Sequence, residues 1–336
     1  MKFYERRNTT LKILAYSHRK DETEYFKAFS KKYNVEVVLT DSAPNMETAH
    51  LAKDIEYISI ITTPINKELL DEFKKLGVKF ISTRTIGYDH IDLNYAKKIG
   101  IHIGNATYSP NSVADYTIMM ILMSLRKMKL IMNRSSNQDF SLNMVQGREI
   151  ENLTIGVLGT GRIGETVIKH LSGFGCRIIA HDIYEKKSIK KYAEYKDLDY
   201  VLKNSDILTL HMPATDDNYH LINKENIEKM KDNVYIINTG RGSLINTDDF
   251  INAIENKKIA GAALDVIENE TGLYYNDLKG HVLNNRQLAI LSSFPNVIVT
   301  PHTAFYTDQA VSDMVENSIK SILLFNENKD NPWQVL

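Results

Sequence analysis

Thr154-Ile155-Gly156-Val157-Leu158-Gly159-Thr160-Gly161-Arg162-Ile163-Gly164 decides how this chain folds. An apolar run of strand length leads into a G-x-G-x-x-G sequence, and ETVIKHLSGF at 165–174 continues with apolar residues near helical spacing. A strand that turns on glycine straight into a helix aims unpaired N–H groups and the positive helix end at whatever sits on the turn. The glycines have separate tasks. Gly159 permits the tight turn, Gly161 lets backbone approach a pyrophosphate, and Gly164 lets helix and strand pack closely.

Such a motif is weak alone, and the next apolar run strengthens it. CRIIAHD at 176–182 ends in Asp182, about twenty residues on, where an acid accepts hydrogen bonds from adenosine ribose hydroxyls. The same carboxylate repels a 2′-phosphate, so the expected cofactor is NAD rather than NADP. The plainer alternative makes Asp182 a strand-end cap and the glycines an ordinary turn.

Beyond this unit ILTLHMP, VYIINTG, AGAALDV and VIVTPH are further apolar runs, most of them ending in Gly, Asp or His. Before it LKILAY, VEVVLT, YISIIT, VKFIST and IHIGNA alternate with the charged, amphipathic KDETEYFKAFSKKY, KELLDEFKKL and DLNYAKKI. Strand and helix in alternation predict parallel sheets covered by helices, because a parallel crossover needs a long connection. At 336 residues the chain exceeds what one core usually organises, so two α/β domains are expected. SPNSVADYTIMMILMSLRKMKLIM reads as one long helix bridging them, opened by Ser109 and Pro110. QAVSDMVENSIKSILLF is a closing amphipathic helix, and the polar NENKDNPW after it is expected to be loosely ordered.

Composition removes several function classes. Lys plus Arg number 41 against 42 for Asp plus Glu, so no global basic field exists to hold nucleic acid. A single cysteine, Cys176, excludes an intrachain disulfide and any cysteine-based zinc site; in FGCRIIA it reads as a small buried hydrophobe. No metal-ligand cluster of familiar spacing is evident. MKFYERRNTTLKILAYS lacks a secretion-signal pattern, and the apolar TIMMILMSL ends at Arg126 and Lys127, too short to span a membrane. A cytoplasmic protein with no membrane partner is expected.

Three more pieces fall at the carboxyl ends of expected strands, where open α/β sheets bind ligands: NTGRG at 238–242, LDVIENE at 264–270 and VTPHTAF at 299–305. With GTGRIG, RTIGYDHID at 84–92 and YSPNSVADYT at 108–117, they make nearly the whole chain resemble the D-2-hydroxyacid dehydrogenase family. The wording is most similar to D-lactate dehydrogenases, including the vancomycin-resistance type, and to phenyllactate dehydrogenases.

The resemblance implies a flavodoxin-like substrate domain, residues 1–107 and 305–336, with a Rossmann NAD-binding domain, residues 108–304, inserted into it. It implies reduction of a small 2-oxoacid by NADH to the D-2-hydroxyacid in the cleft between them, in a homodimer. The physical reading of the matching residues agrees. Arg241 offers a planar fork suited to a substrate carboxylate, and can polarise the adjacent ketone. Its alternative is a strand-end salt bridge. His302, one of ten histidines, is the acid/base that protonates the nascent alkoxide, and Glu270 is the carboxylate that favours its charged form. His211, ending ILTLHMP, is the rival histidine, assigned to the nicotinamide pocket.

Backbone N–H groups of Ile86 and Gly87 correspond to the family's second hold on the carboxylate. Asp265 corresponds to a carboxylate near the nicotinamide, with a helix cap as its alternative. Cofactor contacts are also expected from Arg162, Ile163, Met212, Pro213, Thr239, Gly240 and Ala304. Tyr88 stands where many relatives carry a small aliphatic residue, and Asp115 where many carry glutamate. Tyr108, Phe305 and Tyr306 either narrow the pocket to pyruvate or stack on a phenyl side chain, with Tyr108 and Phe305 taken as substrate contacts. The reading leans to pyruvate, with phenylpyruvate or 2-oxoisocaproate as the alternative. A phosphoglycerate dehydrogenase and an NADH-sensing corepressor are further alternatives, while Glu270 with His302 argues against a formate dehydrogenase and the mid-chain glycine motif against an L-lactate dehydrogenase.

Overall fold

The computed structural model describes residues 10–270 and 272–336; the reading that the N-terminus lacks a secretion signal rests partly on residues outside that range. The chain divides into two compact units, one of residues up to Ser109 with Tyr306–Leu336, the other Pro110–Phe305. Among the described residues no helix is long and apolar enough to cross a membrane.

In the first unit β1 (Lys12–Ala15), β2 (Glu36–Leu39), β3 (Tyr57–Ile60), β4 (Phe80–Thr83) and β5 (His102–Gly104) form a parallel sheet. Its order is β2-β1-β3-β4-β5, that of flavodoxin-like domains. Alternate residues of a strand face opposite ways. Ile13, Ala15, Tyr57 and Phe80 pack against Val315, Ile319 and Ile322 of the helix Asp308–Asn326, while Leu14, Ile58 and Ile81 join Leu70 and Phe73 of the helix Lys67–Lys75. Both faces are therefore covered, which is why these strands read as continuous apolar runs. Fully burying each of the valine, leucine, isoleucine and phenylalanine side chains among them contributes about 1.5–3 kcal/mol.

The second unit holds β6 (Thr154–Leu158), β7 (Arg177–His181), β8 (Glu194–Tyr195), β9 (Ile207–Leu210), β10 (Val234–Asn238), β11 (Ile259–Leu264) and β12 (Val297–Val299). Their order is β12-β11-β10-β9-β6-β7-β8, all parallel. The chain runs outward from β6 to β8, then returns to lay β9 on the other side of β6. Diverging loops leave a crevice at such a switch point, and the glycine turn after β6 lies beside His211 after β9.

Four details depart from the sequence reading. The helix expected to run through 109–132 is two, Asn111–Leu125 and Met128–Ser135, because Lys127 adopts the left-handed conformation with φ 51° and breaks the i to i−4 ladder. Beyond that break Lys129 Nζ reaches the carbonyls of Ser292, Phe294 and Val297, a tertiary contact invisible to helical periodicity. Pro110 rather than Ser109 takes the capping position.

The tail after the last helix is ordered. Val335 N donates to Ile103 O at 2.9 Å, Asn105 N to Trp333 O at 2.9 Å, and the Trp333 indole N–H to Thr107 Oγ1 at 3.0 Å. The edge strand β5 has backbone groups to satisfy, and the polar tail satisfies them. The two-residue strand β8 carries no periodic signal and went unread.

Candidate active site

Gly159 sits at φ 91°, and a Cβ there would lie 2.7 Å from the backbone of His211. A Cβ on Gly164 would lie 2.0 Å from Gly159 O, so first and third glycines are required by the protein's own packing. Gly161 differs, since a Cβ there meets nothing within 4 Å. Space is open beside it, at the start of the helix Arg162–Leu171, whose cap position carries no side-chain bond. Arg162 is exposed and Ile163 half-buried at this helix start.

Asp182 follows β7. Its Oδ2 accepts from Thr160 N at 2.5 Å and Thr160 Oγ1 at 3.0 Å, and Oδ1 from Tyr184 N at 2.9 Å. Burial works against its charge, but the N–H groups of Thr160 and Tyr184 and the Thr160 hydroxyl outweigh it and hold the carboxyl below the usual range. An ionised acceptor beside an open turn at a helix start suits a dinucleotide and fits NAD.

The residues expected to do the chemistry hang on a chain of buried and part-buried polar bonds. Asn238, the last residue of β10, donates from Nδ2 to Arg241 O at 2.9 Å and accepts from Gly240 N at 3.0 Å, clamping the turn that carries Arg241. Arg241 donates to Gly240 O at 2.9 Å, and the Thr239 hydroxyl meets that of Thr117 at 2.9 Å. Asp265, fully buried after β11, accepts from Thr300 Oγ1 at 2.6 Å, Thr303 N at 2.9 Å and Ala304 N at 2.8 Å. Its own carbonyl takes the N–H of His302 at 2.8 Å. Both ends of Asp265 thus grip the turn bearing His302, whose φ of 53° is unusual for a residue with a side chain.

His302 Nδ1 lies 2.6 Å from Glu270 Oε1, and Glu270 Oε2 accepts from Ile267 N at 3.1 Å. His211, the rival, has no carboxylate. Its Nε2 meets Thr209 Oγ1 at 2.9 Å, its Nδ1 is sealed from solvent without a partner, and burial pushes its pKa down to about 3. A ring that stays neutral cannot serve as the proton donor. Although the His211 residue as a whole is only half-buried, the sealed nitrogen is what matters for its charge.

Residues 118–304 match the family model described as D-isomer specific 2-hydroxyacid dehydrogenase, NAD binding domain. This chain belongs to the D-isomer specific 2-hydroxyacid dehydrogenase family. An aromatic 2-oxoacid reductase of Clostridium sporogenes is 47% identical over 318 residues, 94% of this chain and 96% of the relative. A D-specific alpha-keto acid dehydrogenase of Enterococcus faecium is 41% identical over 320 residues, 95% and 98% of the two chains. Among solved structures, a D-lactate dehydrogenase of Treponema pallidum superposes with TM-score 0.88 at 30% identity, covering 97% of this chain and all of that one.

The other expected site residues of this NAD-dependent dehydrogenase fall as follows. In its first unit the carbonyls of Ile86 and Gly87 are bonded to Asn105 Nδ2 at 2.8 Å and Thr85 Oγ1 at 2.6 Å, and the first of these bonds fixes the peptide that bears the Gly87 N–H. Tyr108 lies just after β5, and the Tyr306 ring lies under the Arg19 guanidinium, 5.5 Å away. In the second unit Phe305 stands edge-on to His302, with ring centroids 6.5 Å apart. Met212 is half-buried and Pro213 exposed after His211, and Ala304 is buried. Asp115 pairs with His170 at 3.0 Å on the dehydrogenase's outer helices, and Cys176 is half-buried with its pKa raised by burial.

Tyr275 was missed by sequence reasoning. Its hydroxyl donates to His302 O at 2.8 Å, and its ring stands 6.5 Å from the imidazole and 6.4 Å from Phe305, at right angles to the latter. Tyr275 belongs to no recognisable motif. Asn238 was in plain view inside NTGRG but its side chain's task was not legible.

Proposed function

We propose that this dehydrogenase reduces 2-oxoacids with an aromatic side chain, of the phenylpyruvate type, to D-2-hydroxyacids. The observation that carries the reading is the ring pair Tyr275 and Phe305 beside His302, which offers an aromatic substrate two edges and faces to pack against. The name of the Clostridium sporogenes relative supports it. Pyruvate is the second reading, favoured by the D-lactate dehydrogenase among the solved relatives.

In the proposed reaction Arg241 binds the substrate carboxylate with its fork and polarises the ketone. Ile86 and Gly87 supply N–H groups to the same carboxylate. With Nδ1–H committed to Glu270, His302 presents Nε2 to substrate and delivers its proton to the oxygen at C2; Glu270 steadies the charged ring beforehand. Bound NADH supplies hydride to that carbon. Gly159, Gly161, Arg162, Ile163, Gly164 and Asp182 hold its adenosine half, and His211, Met212, Pro213, Thr239, Gly240, Asp265 and Ala304 line its nicotinamide half. Tyr108 stays assigned to substrate.

The protein works in the cytoplasm as a homodimer in this reading. Exposed Phe140, Leu142 and Met144 in the loop after the helix Met128–Ser135 support association, since solvent-facing apolar clusters mark contact surfaces. Sedimentation velocity tests it, and a monomer at micromolar concentration would remove it. The substrate test is NADH oxidation against phenylpyruvate, 2-oxoisocaproate, pyruvate and hydroxypyruvate, with product chirality resolved. Phenylpyruvate should exceed pyruvate in kcat/KM by roughly 10-fold or more, the discrimination a few packed carbons provide. Preference for pyruvate would establish the second reading.

A further inference from the structure

We propose that Glu268, held by His220 and Thr247, is a positioning residue that sets the loop carrying Glu270 against the turn carrying Arg241. The proposal rests on the roles given above to Arg241, Glu270 and His302. Glu268 Oε1 lies 2.6 Å from His220 Nε2, while Oε2 accepts from Thr247 N at 2.9 Å and Thr247 Oγ1 at 2.6 Å. The loop that carries Glu270 thus holds another carboxylate–imidazole couple, its carboxylate two residues from Glu270.

The hydrogen on His220 can be placed from its neighbours. Asn246 caps the helix Thr247–Glu255 by accepting Asp249 N on Oδ1 at 3.1 Å, so its Nδ2 must be the group facing His220 Nδ1 at 3.2 Å. Nδ1 is then an acceptor, and Nε2 carries the hydrogen it donates to Glu268. Three donors converge on one carboxylate: the imidazole N–H, a backbone N–H and a hydroxyl.

This convergence joins three segments. The backbone around His220 runs beside the residues that follow Arg241, with His220 N bonded to Ser243 O at 2.9 Å and Ile222 N to Leu244 O at 2.9 Å. Gly242, next to Arg241, is pressed on the Glu268 loop so closely that a Cβ would lie 2.1 Å from Ile267 O and 2.6 Å from Glu268 N. Ile267 N in turn orients Glu270 Oε2. Freeing Glu268 therefore loosens the contact between Arg241's turn and Glu270's anchor together, without touching the glycine turn or Asp182.

Glu268→Gln is the direct probe, because an amide has one oxygen for three donors and sets its NH2 against one of them. The expected result is a kcat/KM for phenylpyruvate lower by roughly 10-fold or more, as misplacement of reacting groups produces, with the Kd for NADH unchanged. The downfield proton NMR signal of the His302–Glu270 bond, assigned by its loss in Glu270→Gln, should shift or broaden. His220→Gln, which keeps an N–H donor, should retain more kcat/KM than His220→Leu. Unchanged kcat/KM and an unchanged His302 signal, with only a lower Tm, would overturn the proposal, as would equal kinetics in the two His220 variants. If the unaltered enzyme turned over no 2-oxoacid, the functional reading would fall while the His302 signal still decided the positioning role.

Discussion

Glu270 Oε1 lies 2.6 Å from His302 Nδ1, and that bond determines which ring nitrogen is left for chemistry. Nδ1 is committed to the carboxylate, so in the proposed reaction proton exchange with substrate falls to Nε2. Asp265 supports the pair from behind by gripping the backbone on both sides of the histidine.

His302→Gln should lower kcat by roughly 100- to 10,000-fold, the usual range for a lost acid/base. The Kd for NADH should stay within a factor of two or so, because the glycine turn and Asp182 are untouched. Fluorescence titration and steady-state rates measure both. Loss of cofactor binding alongside turnover would instead make His302 part of the fold.

Gly161→Ala and Gly164→Ala should separate folding from binding. A methyl on Gly161 meets no protein atom within 4 Å, so Tm should hold while NADH binding weakens. A methyl on Gly164 lies 2.0 Å from Gly159 O, so that variant should lose stability by several kcal/mol or fail to express. Equal behaviour of the two would mean the open space beside Gly161 holds no ligand.

Asp182 links cofactor choice to pH. Its folded pKa is depressed, so the stabilisation it gives is present above the unfolded value and is lost only as pH falls through the lower folded one. The Kd for NAD should therefore be flat from neutral pH down to the ordinary carboxylate range and weaken only below that range. Asp182→Ala should narrow the preference for NADH over NADPH by roughly 10-fold or more. Isothermal titration across pH and paired cofactor kinetics test these, and weakening near pH 6 would assign the effect to another group.

His211 should make the fold sensitive to acid. Its folded pKa of about 3 lies below the ordinary 6.5, so between those values the unfolded chain takes a proton that the folded chain refuses. Stability is full above 6.5 and falls on acidification. Relative to the parent, His211→Gln should gain about 2 kcal/mol between pH 7 and pH 5 in denaturant unfolding. A constant difference would show that the ring protonates in place.

Phe305→Ala should cost phenylpyruvate more kcat/KM than pyruvate, because in the proposed reading only the larger substrate reaches this ring beside His302. Equal losses would place the side-chain pocket elsewhere.

Much of the site was legible because its signals are local. Gly159, Gly161 and Gly164 sit in a strand–turn–helix whose parts adjoin in sequence, and Asp182 lies one crossover away. His302 and Arg241 stood out by type at strand ends. Tyr275, Glu268 and His220 did not, since a phenol or carboxylate inside a loop has no period and gains meaning only from its partner. The helix break at Lys127 and the ordering of the tail on β5 failed for the same reason: each is imposed by distant backbone groups seeking hydrogen bonds.

By itself, the sequence determined the alternation of strand and helix, the dinucleotide turn, the acid after the second strand of that unit, and the residue types needed to reduce a 2-oxoacid. The first three follow from hydrophobic periodicity and from chemistry carried by single side chains, and the last is what the family resemblance implies. Tertiary structure alone decided which of the two rival histidines has a carboxylate partner, because Glu270 is 32 residues from His302 whereas His211 is sealed and without a carboxylate. It also decided that Glu268, 48 residues from His220, joins the two turns of the chemical centre. Charge and hydrogen-bond partners depend on distance in space, and chain order does not encode that distance until the sheet has folded.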